Sequence, residues 1–237
     1  MLYWEYYLLG IILIPGLILG IWAQSKVSWN YSKYGKIMSK KGYTASQVAR
    51  VILDSAGLYD YKIQKIGGKL TDNFNPKTKT VSLSVDVYDS SSVASLGIAC
   101  HEVGHALQYA ENYAPIKIRN VLVGVSNVTS KLLWPIIVMG FIFSFLVYIE
   151  PYGQIFLWCG IIFFALTMII DLVTLPVEYN ASKSAKKILQ SSEICDNEEM
   201  VGVNKVLNSA ALTYVAALVV SILNLLRFVL VFARRDD

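Results

Sequence analysis

Charged residues and histidines are scarce in this chain of 237 residues. Asp, Glu, Lys and Arg make up 16% of it and hydrophobic residues 55%, whereas soluble domains carry about 25% charged residues. A chain this apolar is not an intrinsically disordered protein, and its composition favours an integral membrane protein. The three cysteines form no CxxC pair, which argues against a disulfide framework. Because there are only two histidines, a metal site would also need ligands of another type.

Four apolar runs predict a multi-pass membrane protein with about four transmembrane helices. They cover residues 6–22, 132–149, 155–175 and roughly 206–233, and a helical span needs about 20 residues. Residues 150–154 have turn-like composition, so the second and third runs are predicted to form a helical hairpin. The first run has no basic segment before it and no A-x-A site after it, which favours a retained anchor over a signal peptide.

Basic residues near these runs predict the orientation in the cell membrane. Only Arg234 and Arg235 lie on one side of the predicted membrane. The other side has twelve basic residues: Lys26, Lys33, Lys36, Lys40, Lys41, Lys117, Arg119, Lys131, Lys183, Lys186, Lys187 and Lys205. Cytoplasmic segments carry an excess of Lys and Arg. Residues 23–131 and 176–207 are therefore predicted to be cytoplasmic, where unpaired cysteines are also expected.

The segment 23–131 has the patterns of both helices and strands. A capping box at Thr44 and Gln47 and a helix stop at Gly57 predict the first helix. Strand signals follow over 61–66 and 81–85, on either side of an Asn75-Pro76 turn. A cap at 89–92 then predicts a helix through Ala110. In the run 81–85 apolar residues alternate with serines, which predicts a half-buried strand. The segment is therefore predicted to be an α+β region.

Both histidines lie in one HExxH motif, from His101 to His105, on the last of these predicted helices. Residues four apart share a helix face, so the two imidazoles converge on one cation. Glu102 is one residue further round, where it can act as general base on a zinc-bound water. Gly104 removes bulk beside the site. The alternative is a chance match, but the motif follows an alternating strand on a capped helix, as the chemistry requires.

A catalytic zinc site normally has three protein ligands, so the third ligand here is not a histidine. Glu178 follows Pro176, which predicts the first turn of a helix, and two membrane crossings return it to the side of the histidines. Asp171 lies in or at the edge of the third apolar run, where ionisable residues are functional candidates. Cys100 is too close to the first histidine in sequence, and Cys195 lies in an acidic loop. Glu178 is favoured, and Asp171 stays open.

These segments resemble the bacterial membrane-embedded neutral zinc metallopeptidases of the YugP type. The matching pieces cover most of the chain and are residues 74–88, 94–108 (which include HEVGHALQ), 175–182 and 206–217. The resemblance implies a gluzincin-like site in which His101, His105 and Glu178 bind Zn²⁺ and Glu102 is the base. The family usually has Asp where Asn180 stands, which implies a weaker or neutral contact to a ligand in this chain.

Two further expectations concern the substrate. In such peptidases the strand before the HExxH helix, here 81–85, is an edge that pairs with an extended peptide; the alternative is an ordinary half-buried strand. Tyr214 is a candidate hydrogen-bond donor to the tetrahedral oxyanion; the alternative is a packed tyrosine whose hydroxyl is satisfied elsewhere.

The sequence thus predicts a mainly α, multi-pass membrane protein with a cytoplasmic zincin-like α+β catalytic part. Its predicted parts are an anchor (1–22), a catalytic region (23–131), a transmembrane hairpin (132–175), a cytoplasmic region with the third zinc ligand (176–205) and a C-terminal helix with the fourth span (206–237). The predicted partners are membrane lipid and a protein or peptide substrate, without nucleic acid, because the basic aromatic segment 27–43 suits anionic headgroups.

The predicted activity is zinc-dependent endopeptidase hydrolysis of membrane or membrane-proximal proteins. One alternative is an intramembrane (site-2-like) metalloprotease with Asp171 as a ligand. Only eight apolar residues, 93–100, precede the motif, which is short for a span. A second alternative is an inactive zinc-binding membrane scaffold. The intact Glu102 argues against it, because a structural zinc site needs no general base.

Overall fold

A computed structural model describes residues 10–145 and 150–233, and these form seven helices and a three-stranded sheet. The elements are α1 (Ile14–Tyr34), α2 (Ala45–Ser55), β1 (Lys62–Ile66), β2 (Asn73–Asn75), β3 (Thr80–Ser84), α3 (Val85–Tyr88), α4 (Val93–Ala110), α5 (Ala114–Phe145), α6 (Glu150–Ser191) and α7 (Asn197–Ala233). The prediction of a mainly α protein with a small sheet is confirmed.

The chain divides into two compact units. The sheet unit comprises residues 22–117 and 175–213, and the helical unit comprises residues up to 21, 118–174 and from 214 onward. The predicted division into five parts stays a prediction, and all four of its boundaries lie inside continuous helices, namely α1, α5, α6 and α7.

Two predicted helix starts in the sheet unit are confirmed. The Thr44 hydroxyl accepts from the backbone N–H of Gln47, and the Gln47 side chain accepts from the backbone N–H of Thr44, so the capping box of α2 is complete. Just past this helix Gly57 adopts a φ of +74°, which glycine tolerates without strain. At the start of α4, the Ser92 hydroxyl accepts from the backbone N–H of Ser95.

The order of strands in the sheet is β1-β3-β2, with β1 parallel and β2 antiparallel to β3. All five residues of β3 are buried, so the prediction of a half-buried strand is wrong. Its serines are buried because they have partners: Gln64 donates to the Ser82 hydroxyl, and the Ser84 hydroxyl donates to Asp72. β1 pairs with all of β3, β2 pairs with Thr80–Ser82, and the backbone N–H of Ser84 donates to Asp72. The prediction that 81–85 forms a free substrate-binding edge is therefore also wrong.

The core of the sheet unit lies between the sheet, α2, α4 and α7. Its fully buried large apolar side chains include Leu53, Val81, Leu83, Leu96, Val103 and Val203. The helix that carries both histidines is buried on most of its surface, so neighbouring elements fix it from several sides.

Two stretches of the described residues, Trp158–Ser191 in α6 and Asn197–Leu230 in α7, are long and apolar enough to cross a membrane. The runs over 6–22 and 132–149 lie partly outside the described residues and stay predictions as spans. The predicted turn at 150–154 is wrong, since α6 begins at Glu150 and Pro151 stands in its first turn, where the missing N–H of proline has no cost.

Pro176 lies inside α6 rather than at its start. Glu178 is therefore in the middle of a helix of 42 residues, and the first-turn placement inferred from Pro176 is wrong. Proline is disfavoured in a helix interior because it removes one hydrogen bond of the ladder, which is why it normally indicates a helix start.

Candidate metal centre

His101, His105 and Glu178 form a cluster whose ligand atoms all lie within 4.8 Å of one another. One carboxylate oxygen of Glu178 is 3.2 Å from Nε2 of His101 and 3.5 Å from Nε2 of His105. The side chains are 14%, 9% and 2% exposed, in the same order. Solvent therefore reaches the cluster chiefly at His101. No other group of three such ligands is found in the part of the chain that the structure describes.

Two helices of the sheet unit supply these ligands. The histidines lie four residues apart on α4 and so share one face, and Glu178 comes from α6. The helices meet at Gly104, where an added Cβ would lie 2.8 Å from the carbonyl oxygen of Ala181 and 3.2 Å from its Cα. The absence of a side chain at Gly104 allows the two helices to approach closely. This approach brings the Glu178 carboxylate to both histidines.

The donor set fits zinc. Two imidazole nitrogens and one glutamate oxygen form the ligand set of many catalytic zinc sites, in which a fourth position stays open. The three side chains are gathered in one largely buried place, where a carboxylate costs free energy unless it has partners. A divalent cation held between the same atoms would supply such a partner, and the arrangement matches that requirement.

Glu102 lies on α4 next to His101 and is 9% exposed. Burial raises the pKa of its carboxyl above the ordinary value, although the nearby histidines act in the opposite direction. Burial lowers the pKa of His105, but its contacts with Glu178 and the field of Glu102 outweigh this and the pKa is raised. The site thus combines a buried carboxyl group with two imidazoles on one helix.

The outer ring nitrogens of both histidines also have partners. The hydroxyl of Ser182 lies 3.1 Å from Nδ1 of His101, and Oε1 of Gln108 lies 3.0 Å from Nδ1 of His105. Sequence reasoning did not single out Gln108 or Ser182. The available signal was spacing, since Gln108 is three residues after His105 and Ser182 four residues after Glu178, which puts each pair on one helix face.

Asn180 makes its contact one step away from a ligand. Its Oδ1 accepts from Nε2 of Gln108 at 2.7 Å. The same Nε2 donates to the backbone carbonyl of Val177 at 2.8 Å. Asn180 therefore makes its neutral contact with Gln108, the hydrogen-bond partner of His105, and not with a candidate ligand.

Asp171 and Tyr214 belong to the helical unit. The hydroxyl of Ser221 donates to the Asp171 carboxylate, which connects α6 and α7, and Asp171 is not part of the cluster. Tyr214 lies on α7, and its role at the oxyanion stays a prediction.

Cys100 and Cys195 are buried and do not belong to the cluster. Burial raises the pKa of the Cys100 thiol, and it raises that of Cys195 to about 12. Since the thiolate is the form that binds metal, these shifts agree with leaving both cysteines out of the ligand set.

Two histidines of one helix and a glutamate of another are a donor set that zinc metallopeptidases use. The model of the family described as "Putative neutral zinc metallopeptidase" matches residues 9–233, and the chain belongs to this family. The chain is 42% identical over 224 residues to the Bacillus subtilis (strain 168) protein "Putative membrane protease YugP", which covers 94% of this chain and 96% of that protein. No solved structure matches the chain. The resemblance predicted from the sequence is confirmed.

Proposed function

We propose that this protein is a membrane-bound zinc endopeptidase that hydrolyses peptide bonds of membrane or membrane-proximal proteins. The observation that carries the proposal is the cluster of His101, His105 and Glu178 beside the buried Glu102. The family supports zinc-dependent peptidase chemistry. The Bacillus subtilis relative carries the name "Putative membrane protease YugP".

In this proposal His101, His105 and Glu178 hold Zn²⁺. Bound zinc lowers the pKa of water to about 7 and polarises the scissile carbonyl. Glu102 accepts a proton from the attacking water and delivers it to the leaving amine as the C–N bond breaks. Its burial favours this role, because a raised pKa brings a carboxyl closer to the range in which it can both take and return a proton. Tyr214 is the proposed donor to the oxyanion.

Membrane lipid is a proposed partner. Trp22, Lys26, Trp29 and Lys33 recur every three or four residues along α1, so they lie on one face of it. Both tryptophans are more than half exposed, and each has a lysine ammonium 4.7–4.8 Å from its ring centre. Trp and Lys together suit the headgroup layer of an anionic membrane. We place the catalytic part on the cytoplasmic side of a multi-pass protein, as the basic residues predict.

The proposal is tested by comparing wild type with Glu102→Gln. Because Glu102 acts on water and is not a ligand, the variant should contain as much zinc as wild type. It should lose casein hydrolysis by about 100-fold or more, since a positioned base contributes roughly 10²–10⁴-fold. The measurements are metal analysis and hydrolysis of casein by full-length protein in detergent. Undiminished hydrolysis by Glu102→Gln, or wild type purified without zinc and inactive with added zinc, contradicts the proposal.

A further inference from the structure

Gln108 is buried on α4, one helical turn after His105, and every polar atom of its side-chain amide has a partner. Its oxygen faces Nδ1 of His105 at 3.0 Å. Its nitrogen donates to the carbonyl of Val177 at 2.8 Å and to Oδ1 of Asn180 at 2.7 Å. A primary amide has two N–H donors and one carbonyl acceptor, so both donors and the acceptor are used.

The carbonyl of Val177 determines which way this amide points. A backbone carbonyl only accepts hydrogen bonds, so the atom of Gln108 that faces it must be the nitrogen. The oxygen of Gln108 therefore faces His105. Since that oxygen only accepts, the His105 proton must be on Nδ1. In the neutral imidazole Nε2 then carries the lone pair that a metal ion would bind, and Nε2 is 3.5 Å from the Glu178 carboxylate.

Asn180 acts on His105 through Gln108. Its Oδ1 accepts the second N–H of Gln108, which prevents the amide from rotating away from Val177. This task needs an acceptor but no charge. A carboxylate at position 180 would accept the same hydrogen bond and make it stronger, because hydrogen bonds to ionised acceptors are stronger than neutral ones.

We infer that Gln108 is a positioning residue that holds His105 as the Nδ1–H tautomer and so presents Nε2 to a metal, with Val177 and Asn180 fixing the orientation of Gln108. The inference rests on the proposed zinc site. Hydrogen-bond partners of this kind on metal-binding histidines are worth about 10–100-fold in metal affinity. Here the partners are a neutral glutamine and a neutral asparagine.

The experiment measures the zinc dissociation constant of the full-length protein in detergent by competition with a chelator. Gln108→Leu keeps the side-chain size and removes the amide, so it should weaken zinc binding about 10–100-fold. Asn180→Leu should weaken binding less, because the Val177 carbonyl still orients Gln108. Asn180→Asp should bind zinc at least as tightly as wild type. Gln190→Leu, the same change at an exposed site on α6, is the matched control and should have no effect.

Unfolding temperatures of the zinc-free variants separate positioning from general stability. A purely structural role would lower these temperatures and leave the zinc dissociation constant unchanged, and this result overturns the inference. Equal zinc affinity in Gln108→Leu and Gln190→Leu also overturns it. If Gln108→Leu does not fold, the pair at position 180 decides, and equal weakening by Asn180→Leu and Asn180→Asp contradicts the inference. Wild type that binds no zinc refutes the proposed function instead, so the two failures are distinguishable.

Discussion

At the scale of residues, Gly104 sets the separation of the two helices that carry the ligands. A methyl group there would be forced against the backbone of Ala181 at 2.8–3.2 Å, which is too close for a carbon. Gly104→Ala should therefore destabilise the protein by about 1–3 kcal/mol and weaken zinc binding, because α6 must move and carries Glu178 with it. Thermal unfolding and zinc affinity of the purified variant check this.

Gly97→Ala is the matched control for that substitution. Gly97 lies on the same helix, but an added Cβ would meet its nearest neighbour, Val203, at 3.5 Å, an ordinary contact. Alanine is also the better helix former, so Gly97→Ala should be neutral or stabilising. Equal stability of the two alanine variants would show that the contact between Gly104 and Ala181 does not limit the approach of the helices.

The candidate zinc ligands could be predicted from sequence because the histidine signal is local and the histidine count limits the type of the third ligand. His101 and His105 lie within one helical turn, and a chain without a third histidine must use a carboxylate or a cysteine as the third ligand. The partners of the outer ring nitrogens were not predictable in the same way. Gln108 matters only because the carbonyl of Val177 lies beside it, and no residue pattern reports where a backbone carbonyl from another helix will lie.

At the scale of elements, the Asp72 carboxylate closes the end of β3 that β2 does not reach. It accepts from the backbone N–H of Ser84 at 2.7 Å and from its hydroxyl at 3.1 Å. Burial raises the pKa of this carboxyl, although the Ser84 hydrogen bonds act against the rise. The ionised form is thus less favoured in the folded protein than in the unfolded chain.

This raised pKa sets the sign of a pH dependence. A folded protein that binds a proton more tightly than the unfolded chain loses stability as pH rises from the unfolded pKa through the folded pKa. Asp72→Asn removes the charge, and Ser84 can donate to its amide oxygen and accept from its amide nitrogen. The stability of the variant minus that of wild type should therefore be larger at about pH 7.5 than at about pH 4. Thermal unfolding of zinc-free protein at both values measures this, and the opposite trend contradicts it.

Elements were predicted correctly where the signal is local and wrongly where the decisive contact is distant. The capping box of α2 and the Ser92 cap depend on residues three apart, and the structure confirms them. The alternation in 81–85 predicted an exposed serine face, but Gln64 and Asp72 come from elsewhere in the chain and bury it. Pro176 indicated a helix start, yet α6 continues through it.

At the scale of the whole molecule, the orientation prediction rests on the basic residues of segments 23–131 and 176–207. Single cysteines at Thr78 and Ser191, both exposed in the structure, can report it in a background whose native cysteines are replaced by alanine. A membrane-impermeant thiol reagent should label neither site in intact cells and both after permeabilisation. Labelling of either site from outside the cell would reverse the orientation.

The central claim is that Glu178 completes the metal site with His101 and His105. It is tested most directly by the zinc content of full-length wild type, His105→Ala, Glu178→Ala and Asp171→Ala after mild chelation. Wild type and Asp171→Ala should retain roughly one zinc ion per chain, whereas His105→Ala and Glu178→Ala should lose it, because a catalytic site needs three protein ligands. Zinc lost from Asp171→Ala and retained by Glu178→Ala would contradict the account.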